Sequence, residues 1–261
     1  MTAEWQNTAA THILTPGKDG IENGRWNVLE VEIKLHSLRD AALLEPFREI
    51  PTDKTDLITI GHPKDKEKQM RCLLGSGPSD VYIMDDPSIP EYYSLKVKSE
   101  AQTSSNGILT RHEIIVPLNV DSLMDLLHLG YPTAQKLSDR IYTDRGSFKI
   151  EGGLEVTPPF FRRRVMRHVR CIDTGAKFTV IADRCIALAR GLPDLHQLEI
   201  ELDEYKVPIM LTEISPETIV NDYLRVQERI LREFQAVGIT LVPDTRTKFS
   251  WIRQLCQTSS V

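Results

Sequence analysis

Cysteine is scarce in this chain and poorly spaced for chemistry. Cys72, Cys171, Cys185 and Cys256 form no C-x-x-C pair, which argues against a dithiol redox motif, a zinc site or a disulfide framework. They read as buried thiols of a reducing compartment. No apolar run approaches the length of a membrane-spanning helix, and no basic-then-apolar leader opens the chain, so the expectation is a cytoplasmic protein with no membrane partner. The P-loop and dinucleotide glycine patterns are missing, so a nucleotide, if bound, is held by side chains. Positive charge is not in excess either. The net charge of -5 excludes a global attraction to duplex DNA or anionic lipid and leaves the basic residues to act locally. Internal repeats and low-complexity tracts are absent. At 261 residues the chain has room for one large domain or two small ones, with apolar content enough for a core.

What is present is alternation. Leu29-Glu30-Val31-Glu32-Ile33-Lys34-Leu35 and Leu198-Glu199-Ile200-Glu201-Leu202 each alternate apolar and charged residues with period two. Each predicts a strand with one aliphatic and one ionised face. One such strand is ordinarily a half-buried strand with a solvated, salt-bridged face. Two of them place four carboxylates (Glu30, Glu32, Glu199, Glu201) where a divalent cation finds the oxygen ligands it needs.

Basic strands lie between them. Tyr93 to Ser99 puts Lys96 and Lys98 on one face and Leu95 and Val97 on the other. Leu109 to Val116 makes Arg111 and Glu113 co-facial, with Glu113 expected to pair with Arg111 or another cation. Phe160 to Arg170 is dense in arginine, and its parity directs Arg164, His168 and Arg170 toward the same interior as the glutamates. Aliphatic faces outward and charged faces inward describe an α+β protein: a closed antiparallel β-barrel with a charged lumen and helices packed outside. Charges buried in that way must neutralise each other, a metal or a ligand. Carboxylates on one side and Lys/Arg on the other suit a metal-bound polyanion.

The E-x-E-x-K of Glu30, Glu32 and Lys34 resembles the signature of the CYTH or triphosphate tunnel metalloenzyme family. Asp80-Val81-Tyr82-Ile83-Met84-Asp85-Asp86 is similar to its strand-and-turn segment, and Leu95-Lys96-Val97-Lys98 to its L-R-x-R. Phe178 to Arg184 resembles the hydrophobic strand ending in Asp, here Asp183, that precedes the final E-x-E, here Glu199-Ile200-Glu201. Thr247-Lys248-Phe249-Ser250 resembles a short closing Lys-aromatic strand. The resemblance covers roughly residues 28–251. It departs from the family in the two dozen residues before the first motif, in the long stretch from His36 to Ser79, and in lysines where the family has arginines. The closest counterpart of the family's K-x-R strand is His168-Val169-Arg170, and a histidine there is a weaker, pH-dependent phosphate ligand.

The resemblance implies a tunnel that binds a triphosphate and hydrolyses a phosphoanhydride bond. The substrate would be inorganic triphosphate, a nucleoside or thiamine triphosphate, or an RNA 5′-triphosphate. Glu30, Glu32, Glu199 and Glu201 would hold Mg²⁺ or Mn²⁺, with Asp183 either completing the metal sphere or fixing an arginine. Lys34, Lys96, Lys98, Arg111, Arg164 and Arg170 would line the phosphates, and Lys248 would close one tunnel mouth. Two rivals share these residues: a class IV-type adenylyl cyclase, and a non-catalytic module that binds polyphosphate or triphosphorylated RNA.

The remaining pattern divides the chain into a lead-in over residues 1–27, one domain over 28–253 and a tail over 254–261. Helices are expected over Leu38–Phe47, Asp121–Gly130, Thr133–Tyr142 and, most clearly, Ser215–Val237. That last helix carries the apolar stripe Ile219, Tyr223, Val226, Ile230 and Phe234. A hairpin is expected between Leu57–Ile60 and Gln69–Leu74, around the charged turn Pro63–Lys68.

Overall fold

The computed structural model describes residues 26–50, 57–74, 79–85, 93–118, 155–188, 193–205 and 216–258. Eleven strands occur among them: β1 (Trp26–Ser37), β2 (Leu57–Leu74), β3 (Asp80–Asp85), β4 (Tyr93–Lys98), β5 (Gln102–Thr103), β6 (Leu109–Leu118), β7 (Glu155–Val156), β8 (Phe160–Cys171), β9 (Ala176–Ala187), β10 (Leu195–Tyr205) and β11 (Leu241–Pro243). Three helices accompany them: α1 (Leu44–Glu49), α2 (Pro216–Ala236) and α3 (Lys248–Thr258). The result is α+β and mostly antiparallel sheet, in the order β11-β1-β10-β9-β8-β2-β3-β4-β6-β5. β7 joins β2, and β6 pairs with β1 as well as with β4.

The period-two pattern sorts the strands into two faces. Val31, Ile33 and Leu35 of β1, Val165 and Val169 of β8, Phe178, Val180 and Ala182 of β9, and Leu198 and Ile200 of β10 are all buried in one apolar cluster. The stripe Ile219, Tyr223, Val226, Ile230 and Phe234 of α2 packs into it, as does Phe47 of α1. Removing each large side chain from water stabilises by about 1.5–3 kcal/mol, so this layer carries most of the fold. Tyr223 also ties strands together: its hydroxyl donates to the Val31 carbonyl and accepts the Leu202 N–H at 2.9 Å. Pro216 opens α2 where no intrahelical N–H is needed. Gly238, at φ +80°, closes it, with the Ile239 N–H returning to the Phe234 carbonyl at 2.9 Å.

Three expectations are corrected. The hairpin over 57–74 is one strand, β2, laddered along β8. The register shifts between Ile60 and Lys64, so Pro63, which has no N–H to give, falls outside the paired positions. The helix expected at Leu38–Phe47 is the shorter α1, because β1 runs on to Ser37 and turns through Asp40 at φ +51°. The Lys-aromatic strand is the start of α3. Thr247 and Ser250 form a reciprocal N-terminal box, in which the Ser250 N–H donates to Thr247 Oγ1 at 2.9 Å and the Thr247 N–H to Ser250 Oγ at 3.0 Å. Residues 1–25 of the lead-in, the helices expected at 121–130 and 133–142, and Ser215 lie outside the described residues, while Trp26 and Asn27 already belong to β1. No helix among the described residues is long and apolar enough to cross a membrane.

Candidate functional site

β1 and β10 bring Glu32 together with Glu199 and Glu201. They run antiparallel with Glu32 opposite Glu201 and Lys34 opposite Glu199. Like charges directly across a ladder repel, so this face requires cations. Lys34 Nζ lies 3.1 Å from Glu32 Oε1 and 3.6 Å from Glu199 Oε1. Arg111 of β6 donates to Glu32 Oε1 at 2.7 Å. Lys248, the first residue of α3, donates to Glu199 Oε1 at 2.5 Å and lies 3.0 Å from Asp183 Oδ2. The box at Thr247 and Ser250 thus starts a helix and also sets a lysine inside the sheet.

Arg162 of β8 is the most tightly held cation of the group. Its Nε donates to both oxygens of Asp183 at 3.0 Å, and its Nη2 to Asp183 Oδ2 and, at 2.9 Å, to Glu199 Oε2. Arg164 reaches the same two acids less closely, at 3.4 and 3.7 Å. Farther round, Lys96 and Lys98 of β4 converge on Glu113 Oε2 at 2.5 and 3.1 Å. Arg111 also lies 3.6 Å from Asp80, whose Oδ2 accepts the Tyr82 hydroxyl at 3.3 Å.

Burial and ion pairing compete at each group. Burial raises the carboxyl pKa of Glu199, but Lys248, Arg162 and Lys34 outweigh it and hold it well below the usual range. Asp183 is likewise lowered, because Arg162, Lys248 and Arg164 overcome its burial. Burial disfavours the charge on Arg162, yet Asp183 and Glu199 keep its pKa well above the ordinary value. Lys248 is raised: burial and Arg162 oppose its charge, and Asp183 and Glu199 prevail. Lys34 goes the other way, since burial outweighs Glu32 and lowers it. Burial also raises Asp80. Cys171 and Cys185 are buried free thiols, pushed up to about 12 by burial, and are inert at neutral pH.

These side chains surround a cavity of about 280 Å³. Lys34, Lys96, Lys98, Arg111, Arg162, Arg164 and Lys248 line it, against Glu113, Glu199 and Glu201, so seven cations face three carboxylates. Met70, Tyr82 and Met84 complete the wall. They belong to a second apolar cluster in which Phe249, Trp251 and Ile252 of α3 pack on Phe160, Cys185 and Leu195. Glu32, Glu199 and Glu201 each present an oxygen within 4.8 Å of the others. Glu32 Oε2 is buried without a hydrogen-bond partner. Three carboxylates, one with an unsatisfied oxygen, fit a hard divalent cation.

The expected residues distribute unevenly around this cavity. Glu32, Lys34, Lys96, Lys98, Arg111, Arg164, Lys248, Asp183, Glu199 and Glu201 come together. Glu30 stands opposite Arg111 in the β1–β6 ladder, and its side chain is outside the described set. Arg170 does not line the cavity. It lies six residues beyond Arg164 on β8, about 20 Å along an extended strand, opposite Lys177. His168 bonds Thr179 at 2.9 Å instead of facing the cavity. Lys248 sits within the ion-pair cluster. The residue missed from sequence is Arg162. It shares the parity of Arg164, which was the available signal.

No protein-family model matches the chain, and comparison with curated protein sequences finds no match. Among solved structures it is similar to a conserved hypothetical protein from Pyrococcus furiosus, at 15% identity over 85% of this chain and 99% of that one, TM-score 0.40. It is similar also to the mimivirus capping enzyme triphosphatase (11%, covering 88% and 98%, TM-score 0.42) and to the S. pombe Pct1 RNA triphosphatase (10%, covering 91% and 90%, TM-score 0.26).

Proposed function

We propose that this protein is a metal-dependent triphosphatase that hydrolyses a phosphoanhydride bond of a triphosphate inside a closed barrel. The observation that carries the reading is one cavity in which seven cations converge beside a carboxylate trio containing an unsatisfied buried oxygen. The pairing of β6 back to β1 supports a sheet that encloses its ligand. A charged wall of this kind has no use in a merely structural core, where apolar side chains would be at least as stable.

Glu32, Glu199 and Glu201 would hold Mg²⁺ or Mn²⁺, with Glu30 as a further ligand. A bound ion would polarise phosphate oxygens and acidify a coordinated water. The chain's own residues do the rest. Arg162, Arg164, Lys34 and Lys248 hold the phosphate oxygens on the β8–β10 side, and Lys96, Lys98 and Arg111 hold them on the β4–β6 side. Fixed in this way, the cations are already placed where charge grows on the leaving phosphate. Water attacks phosphorus, the P–O bond to the leaving phosphate breaks, and a carboxylate of the trio accepts the proton.

The test is phosphate release from inorganic triphosphate, ATP, thiamine triphosphate and 5′-triphosphate RNA with Mg²⁺ or Mn²⁺, paired with Glu32→Gln. Release by the wild type that disappears in the variant is the expected result, and it ranks the substrates. Pyrophosphate with cyclic AMP from ATP would replace hydrolase by cyclase. Tight binding without turnover would leave a sensor.

A further inference from the structure

Asp183 is the most completely enclosed carboxylate of the cluster, at 0% exposure, yet it stands apart from the trio that offers oxygens to a cation. Its own oxygens are fully engaged. Oδ1 accepts from Arg162 Nε at 3.0 Å and from Arg164 Nε at 3.4 Å. Oδ2 accepts from Arg162 through Nε at 3.0 Å and through Nη2, and lies 3.0 Å from Lys248 Nζ. A carboxylate has about four lone-pair sites, and protein donors occupy them here. Glu32, at 1% exposure, keeps Oε2 without a partner. Glu199 also meets four cations, but it lines the cavity and belongs to the trio, and Asp183 does neither, so engagement and place together set Asp183 apart.

Resting on the triphosphatase reading, we propose that Asp183 is a positioning residue for a phosphate clamp and holds no metal. It gathers Arg162, Arg164 and Lys248, three cations that would otherwise repel one another, and fixes Arg162 by its Nε–Nη2 edge. Glu199 takes the other Nη2 hydrogen at 2.9 Å, which leaves Nη1 for phosphate in the cavity that Arg162 lines, while Asp183 is absent from that lining. Its backbone places it for this task, since its Cα lies opposite Arg164 on β8 and opposite Gln197 on β10.

The experiment measures two affinities separately on wild type, Asp183→Asn, Arg162→Lys and Glu32→Gln. Inorganic triphosphate binding is measured by calorimetry in EDTA, and Mn²⁺ binding by its paramagnetic resonance signal without triphosphate. Asp183→Asn is expected to weaken metal-free triphosphate binding by roughly 10–100-fold, the span of a lost charge-assisted contact. Its Mn²⁺ binding should weaken far less than that of Glu32→Gln. Arg162→Lys keeps a charge beside Asp183 but loses the fork; it should weaken triphosphate and spare Mn²⁺, which tests the clamp even if Asp183→Asn does not fold. Mn²⁺ loss in Asp183→Asn equal to that in Glu32→Gln, with triphosphate binding kept, overturns the proposal. Wild-type triphosphate affinity in Arg162→Lys, or no triphosphate binding by the wild type, also overturns it. Wild type that binds triphosphate but never hydrolyses it defeats the functional reading and leaves the clamp standing.

Discussion

The two faces of β10 are buried almost equally and built oppositely. Leu198 and Ile200 lie at 0% exposure against α2, and Glu199 between them lies at 2% on the other side. On the first face burial itself is the stabilising force, non-directional and tolerant. On the second, burial is a cost that only close ion pairs offset, and apolar substitutes of like shape would fold at least as well. The outer, apolar face therefore accounts for most of the stability, and the inner, charged face is the one that the proposed triphosphate would meet.

Substitutions that act on one face should leave the other alone. Tyr223→Ala removes a fully buried ring together with its bonds to β1 and β10, and should cost about 3–5 kcal/mol in urea unfolding. The molecules that remain folded should bind triphosphate normally. If binding is lost in proportion, the faces are not independent. Glu201→Gln is the converse: turnover should fall on the order of 100-fold, with an unfolding midpoint far closer to wild type than that of Tyr223→Ala.

Acidity should reach the inner face first. The folded-state pKa values of Glu199 and Asp183 are depressed, so these groups contribute fully above about pH 4.5, where unfolded carboxylates are ionised. That contribution is lost as the pH falls through their lowered folded values. The urea midpoint should be level over roughly pH 5–7 and drop below about pH 4. Tyr223→Ala should displace this curve as a whole, whereas Asp183→Asn should flatten its acid limb. The smallest effect sharpens the boundary between the faces. Thr247→Ala removes one half of the α3 box and should cost about 1 kcal/mol. Because Lys248 follows directly, it should also raise KM, while a control at an exposed helix position should not.

Alternation made the inner and outer faces legible at once in residues 29–35 and 198–202, because a period of two is a local property. How far the cavity extends along a strand is not local. Arg162, Arg164 and Arg170 share parity on β8, and only the stagger of β8 against β9 and β10 places the first two beside Asp183 and Glu199 and leaves the third far along the strand. Pro63 and its charged neighbours resemble a turn until β8 supplies a ladder for Lys64 to Met70. Thr247 to Ser250 resembles a strand because the reciprocal hydrogen bonds that start a helix there depend on side-chain rotamers. Asp183 carries two readings from sequence, and its distances to Arg162 and Lys248 are the ground of the clamp proposed for it.

The pairing of β1 with β6, β10 and β11 also bears on how the protein comes into being. Contacts between the first strand and the tenth are about as non-local as this chain permits, and such topologies condense slowly because distant ends must meet before any reward is gained. No amino-terminal fragment that stops short of β10 can hold Glu32 and Glu199 together. On the triphosphatase reading, a nascent chain therefore has no complete site until β10 and Lys248 of α3 have emerged.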